Sequence, residues 1–191
     1  MAQTDRPPPA DDRARSVECL TLAIAYEAGY EPLEGQQAIA EVVLNRVRSP
    51  SFPKSVCNVV FAGSTRRTGC QFTFTCDGSL GRRLPRRILD AARSTAEQAL
   101  SGGLPSLVAG ATNYHADYIY PYWAPGLVRV GKIGTHMFYR RTGAALPDNA
   151  SLPAGASGPR AMIPSSTPPP AFAPWGLTMA ANPVQREEAR P

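Results

Sequence analysis

Apolar positions recur with helical spacing along the first third of the chain. Val17, Leu20, Ile24 and Ala28 fall on one stripe, which predicts a largely buried helix that Ser16 can cap and that carries Glu18 in its first turn. Gly29 offers a helix stop and Pro32 bars immediate continuation. A second amphipathic helix is expected from about Glu34 to Arg48, with Ile39, Val43 and Val47 on one stripe and Ala38, Ala40, Val42 and Leu44 beside it. Glu41, on its polar side, reads as part of a solvated face. Ser49-Pro50-Ser51-Phe52-Pro53 stops this helix, and Pro53 opens a short helical turn that buries Val56, Val59 and Val60.

Beyond a polar loop from Ala62 to Gly69, the period changes. Gln71-Phe72-Thr73-Phe74-Thr75-Cys76 alternates polar and apolar residues and ends in Asp77-Gly78, the pattern of a strand entering a turn. A third helix is expected over roughly Pro85 to Leu100, with Ile88, Leu89, Ala92, Ala96 and Ala99 inward and Gly102-Gly103 ending it. Leu127-Val128-Arg129-Val130 and Thr135-His136-Met137-Phe138-Tyr139 read as short strands of a small antiparallel sheet, with Gly131, Lys132 and Gly134 in the turn between them. Tyr118, Tyr120, Tyr122 and Trp123 crowd the preceding loop. Aromatic faces stack on sugar rings, so a saccharide groove accounts for them, as does a satellite core beneath the loop.

The most informative single residue is Glu27. It lies near the end of an apolar helix, where an unpaired carboxylate costs several kcal/mol or takes up a proton instead. A raised pKa suits a general acid near neutral pH. The competing reading is a half-exposed helix-end carboxylate paired with an arginine.

Composition limits the domain. The chain has 191 residues with a hydrophobic fraction of 43%. Large apolar residues are scarce in residues 1–14 and 143–191, which are expected to be disordered tails around one domain of residues 15–142. The net charge of +5 is spread over scattered arginines without a nucleic-acid-binding motif, so no nucleic-acid partner is expected, and such a charge suits other anionic polymers equally well. Cys19, Cys57, Cys70 and Cys76 allow two disulfides in three pairings, or buried free thiols, while their spacing argues against zinc. No metal or other cofactor is expected. The opening MAQTDRPPPADDRAR has no apolar h-region, and no transmembrane span is read in the chain.

YEAGYEPLEGQQAIAEVVLNRVRSPSFPKSVCNVVF, then GCQFTFTCDG, GATNYHA and IGTHMFYR resemble, in order and spacing, the bacterial cell wall hydrolase family that includes the spore-cortex-lytic enzymes. The resemblance covers about Glu18 to Arg140. It implies cleavage of the peptidoglycan glycan strand by one glutamate of an EA-x-x-E motif, which falls here on Glu27, Ala28 and Glu31. The chain reads EAGYE where the family usually reads EARGE, so the basic residue between the glutamates is absent. Asn45 matches the family's LNRV block and reads as a hydrogen-bonder to backbone. With Glu27 as the catalytic residue, the expected substrate-binding set is Glu31, Gln71, Phe72, Asp77, Asn113, Tyr114, His115, Tyr122, Trp123 and His136.

The expected fold is α+β, a lysozyme-like helical part carrying Glu27 and a small antiparallel β part, with the groove between them. The expected activity is that of a lytic transglycosylase, in which Glu27 serves first as acid and then as base and leaves 1,6-anhydromuramic ends. The alternatives are a hydrolytic muramidase with Asp77 as second carboxylate and an inactive glycan-binding module. The protein is expected to act as a monomer on peptidoglycan in the periplasm or cell wall. Without an apolar h-region, it is expected to be either a mature or trimmed form or exported by another route, such as a phage-type holin.

Overall fold

The computed structural model describes residues 10–66 and 69–143. The stretches expected to be tails therefore lie mostly outside it, including all of residues 144–191. Four helices come first, α1 (Ala10–Ala28), α2 (Leu33–Arg48), α3 (Val56–Val60) and α4 (Arg86–Leu100). Three strands follow, β1 (Asn113–Ala116), β2 (Val128–Ile133) and β3 (His136–Arg140), in one antiparallel sheet of order β1-β3-β2. Helix α1 begins at Ala10, so it reaches back into the expected N-terminal tail, and Ser16 lies inside the helix rather than at its cap.

Helix α2 is central because its apolar face is wide enough to serve two cores. Ala40 and Val43 join Leu20, Ile24, Val59, Val60, Phe72, Ile88 and Ala96 in a helical core. Ala38, Ile39 and Val42 turn toward Ala28, Val108, Ala111 and Phe138 beneath the sheet. A Cys19–Cys57 disulfide fastens α1 to α3, and Cys70–Cys76 closes a short loop. Ser55 caps α3 by accepting a hydrogen bond from the Asn58 amide at 3.3 Å, and Val56, Val59 and Val60 are buried as expected.

Gln71–Cys76 is not a strand. Thr73–Thr75 form a 3-10 turn, from which Phe72 and Phe74 enter the core at 1% and 3% exposure. The Cys70–Cys76 bond and the Thr75 hydroxyl, which donates to the Phe72 carbonyl at 2.7 Å, replace the ladder that a lone strand would lack. Gly131 and Lys132, expected in a turn, belong to β2 beside an irregularity between Arg129 and Gly131. The β2–β3 turn is Gly134-Thr135.

The polar side of α2 is built into the fold. Glu41, expected in solvent, accepts from the Leu107 and Val108 amides at 2.6 and 3.0 Å and from the Ser106 hydroxyl at 2.8 Å. One turn on, Asn45 donates to the Ala111 carbonyl at 3.0 Å, the backbone bond expected of it. Arg46 donates from Nε to the Thr112 carbonyl at 2.8 Å. These three side chains hold the segment that delivers β1. Glu41→Ala should cost about 2 to 3 kcal/mol in chemical denaturation, because two backbone amides lose a charged acceptor. A loss below a few tenths of a kcal/mol would show that the brace carries no stability.

Candidate active site

Glu27 is held at the last turn of α1, between helices and sheet. The Tyr114 hydroxyl on β1 donates to its Oε2 at 2.9 Å. Burial raises the Glu27 pKa above the ordinary carboxyl range, against the opposing effects of the Tyr114 hydrogen bond and the Arg46 charge. Tyr114 is itself pushed well above a normal phenol by burial and by the neighbouring Glu27, so it remains a neutral O–H donor. The Glu27 side chain is only partly buried, so the acid can still be reached from solvent.

The helix-to-loop junction after Glu27 accounts for the altered motif. A Cβ at Gly29 would lie 2.5 Å from Ile88 Cγ2 on α4 and closer still to the Ala25 carbonyl oxygen. No side chain fits where the family usually has arginine. Glu31 turns toward the β2–β3 turn, where its carboxylate accepts from the Thr135 amide at 3.3 Å and from the Thr135 hydroxyl. Gly134, at φ +56°, leaves the space that this carboxylate occupies. Glu31 thus latches the loop after α1 to the sheet.

His136 on β3 is buried, with its Nδ1 3.9 Å from Glu31 Oε1 and its ring edge-on to Tyr114 at 5.3 Å. Burial lowers its pKa against the pull of Glu31 and Asp117, which favours the neutral ring. His115 donates from Nδ1 to the Ala116 carbonyl at 2.8 Å, leaving Nε2 to accept from the Tyr139 hydroxyl at 3.0 Å. Trp123 meets His115 and Tyr139 edge-on. Tyr118, Tyr120 and Tyr122 are 76%, 93% and 96% exposed, so of the four aromatics in this loop only Trp123 packs against the sheet. Asn113 Oδ1 accepts from the Thr112 hydroxyl at 3.0 Å.

Gln71 and Asp77 are exposed. Asp77 Oδ1 accepts from the Ser79 amide at 2.8 Å. Its slight burial would raise its pKa, but the Ser79 hydrogen bonds and Arg82 outweigh this and hold it below the usual range. It is close enough for its charge to act on Glu27. Phe72, expected to touch substrate, instead lies in the core beneath the Arg46 guanidinium, 5.2 Å from ring centre to Cζ.

Arg46, in sequence one of several scattered arginines, lies in the structure beside Tyr114 and Glu27. The signal was its position, since Ile39, Val42, Val43 and Arg46 follow the i, i+3, i+4, i+7 spacing of a buried stripe. No group of His, Cys, Asp and Glu among the described residues is arranged to hold a metal ion.

A helical layer that brings one partly buried carboxyl against a small three-stranded antiparallel sheet defines a lysozyme-like α+β domain. The family model for cell wall hydrolases matches residues 30–139, beginning just past Glu27, and the chain belongs to that family. The spore cortex-lytic enzyme of Bacillus subtilis (strain 168) is 35% identical over 122 residues, covering 64% of this chain and 36% of that protein. That of Halalkalibacterium halodurans is 33% identical over 131 residues, covering 68% and 36%. The chain thus spans little more than a third of the length of these two relatives. The crystal structure of the catalytic domain of the Bacillus cereus SleB protein matches at a TM-score of 0.56 and 28% identity, covering 73% of this chain and 98% of that domain. The catalytic domain of SleB from Bacillus anthracis, described as a germination-specific lytic transglycosylase, matches at 0.54 and 26%, covering 73% and 100%.

Proposed function

We propose that this chain cleaves the MurNAc–GlcNAc strand of peptidoglycan as a lytic transglycosylase with Glu27 as acid and base. The observation that carries the reading is the Glu27–Tyr114 pair, a carboxyl whose pKa burial raises and which is still reachable from solvent. Protonated Glu27 gives its proton to the glycosidic oxygen, and the bond from that oxygen to the muramic anomeric carbon breaks. The substrate's N-acetyl group stabilises the positive charge at that carbon. The Glu27 carboxylate then takes the proton of the muramic 6-hydroxyl as its oxygen bonds to the anomeric carbon. Glu27 is protonated again and a 1,6-anhydro end remains, with no water consumed.

The likeness to a structure described as a lytic transglycosylase supports this chemistry. The muramidase alternative needs Asp77 to activate water, a base role open to an ionised, exposed carboxylate. Glu31, Gln71, Asp77, Asn113, Tyr114, His115, Tyr122, Trp123 and His136 remain the proposed lining of the glycan groove, with Gln71, Asp77 and Tyr122 exposed. Phe72 leaves that set. The proposed place of action is the periplasm or cell wall, on glycan strands and as a monomer.

Purified walls incubated with the protein test cleavage directly. Falling turbidity with release of soluble muropeptides is the expected outcome, whereas binding without release would make the chain a glycan-binding module. Because the acid must be protonated, activity should hold below the raised Glu27 pKa and be lost as pH rises through it, above the range in which an ordinary glutamate titrates.

A further inference from the structure

Arg46 is 4% exposed, yet none of the ion pairs among the described residues includes it. Arginine is seldom buried without a paired charge, because removing the cation from water costs several kcal/mol. Among the described residues its one side-chain hydrogen bond is from Nε to the Thr112 carbonyl, and Nη1 is buried with no partner there. The guanidinium is boxed by the rings of Phe52, Phe72 and Tyr114 at 5.6, 5.2 and 5.8 Å from Cζ. Cation–ring contacts of this kind offset only part of the lost hydration. For the core alone, an apolar residue on this stripe would serve as well.

The fold nevertheless places this cation behind the Tyr114–Glu27 hydrogen bond. Three ionisable groups act on Glu27, namely Tyr114 from β1, Arg46 from α2 and Asp77 from the loop after the Thr73–Thr75 turn. Arg46 is the cation among them. A general acid becomes a carboxylate at the moment it acts, and in a partly buried site that new charge has little water to solvate it. We propose that Arg46 is a positioning residue for the acid–base step, in which it fixes the Tyr114 ring against Glu27 and stabilises the carboxylate that Glu27 becomes on giving up its proton. The inference rests on the acid–base role proposed for Glu27. It adds that the strength of that acid is set from α2, through a residue that need not touch substrate.

The sign of the effect is fixed. A nearby cation favours the ionised carboxyl, so removing it moves Glu27 titration to higher pH and makes the group a weaker acid. The test is a carbon-13 NMR titration of glutamate carboxyls without substrate, the Glu27 signal being assigned by its loss in Glu27→Gln. It is run beside the pH profile of wall clearing. Arg46→Met removes charge and hydrogen bond. Arg46→Gln keeps a donor for the Thr112 carbonyl and covers the case in which the methionine variant does not fold. Arg46→Lys keeps the charge.

In the neutral variants, Glu27 should titrate at higher pH and the alkaline limb of clearing should move up with it. Their best rate should fall about tenfold or more, part of the roughly 10²- to 10⁴-fold that general acid help is worth, with wall binding unchanged. Arg46→Lys should keep Glu27 near its normal titration. A folded neutral variant with unshifted Glu27 titration would overturn the proposal, as would a rate loss with an unshifted limb. Persistent clearing by Glu27→Gln would sink the acid–base reading itself, whereas an inactive Glu27→Gln beside an unshifted Arg46→Gln would sink only the role of Arg46.

Discussion

Glu27→Gln should abolish wall clearing, a loss of about 10²- to 10⁴-fold or more, while the protein stays folded. Glutamine keeps the volume and can still accept from the Tyr114 hydroxyl, so the loss would be that of the titrating proton alone. Stability should move the other way. Burial raises the folded-state pKa of Glu27 above its unfolded value, so its ionisation in the native state carries a cost. The stabilising contribution of the protonated form is full below the unfolded pKa and is lost as pH rises through the folded one. Glutamine does not ionise, so the variant should melt at the same temperature as the parent in acid and at a higher one at neutral pH. A lower melting temperature at neutral pH would mean that the Glu27 carboxylate supports the fold. Near-normal clearing by the folded variant would remove Glu27 from the mechanism.

Replacing Cys19 and Cys57 together with serine should cost about 3 to 4 kcal/mol, the second large effect expected. The bond spans a sequence separation of 38 and joins α1, which carries Glu27, to α3. Its loss frees a long loop in the unfolded chain. Cys70–Cys76 spans a separation of only 6, so its removal should cost less in global unfolding. Its effect should be local, on the turn that sets Phe72 and Phe74 in the core. Denaturant titration of the two double-serine variants checks the order. A smaller loss from the Cys19/Cys57 pair than from Cys70/Cys76 would contradict it.

The helices were legible because their signals are local. Val17, Leu20, Ile24 and Ala28 lie within four turns of each other and all are buried, and the stops at Gly29-Pro32 and Ser49-Pro53 are where α1 and α2 end. Phe72 and Phe74 misled because a two-residue period fits a strand and fits equally well a 3-10 turn that sends two rings into one core. The arbiter was the disulfide between Cys70 and Cys76, whose pairing the sequence left open. Glu41 misled because its partners, Ser106 to Val108, lie 65 to 67 residues away, and nothing near it in sequence announces a loop that needs an acceptor.

The candidate site divides the same way. Glu27 stood out as a carboxyl on an apolar helix, and Tyr114 and His136 came in through their sequence blocks. The contacts that give them roles, Tyr114 to Glu27 across 87 residues and Thr135 to Glu31 across 104, are products of the fold. Arg46 is legible in the sequence as a cation on the apolar stripe of Ile39, Val42 and Val43, but its place behind Tyr114 is a product of the fold.

Whether Glu27 alone serves as acid and then base is tested most directly by the masses of the muropeptides released from purified peptidoglycan. Ends lighter than the hydrolytic products by the mass of one water, lost together with all cleavage in Glu27→Gln and kept in Asp77→Asn, are the predicted result. Reducing ends at every cut bond, with activity lost in Asp77→Asn, would contradict it and make Asp77 the base that activates water.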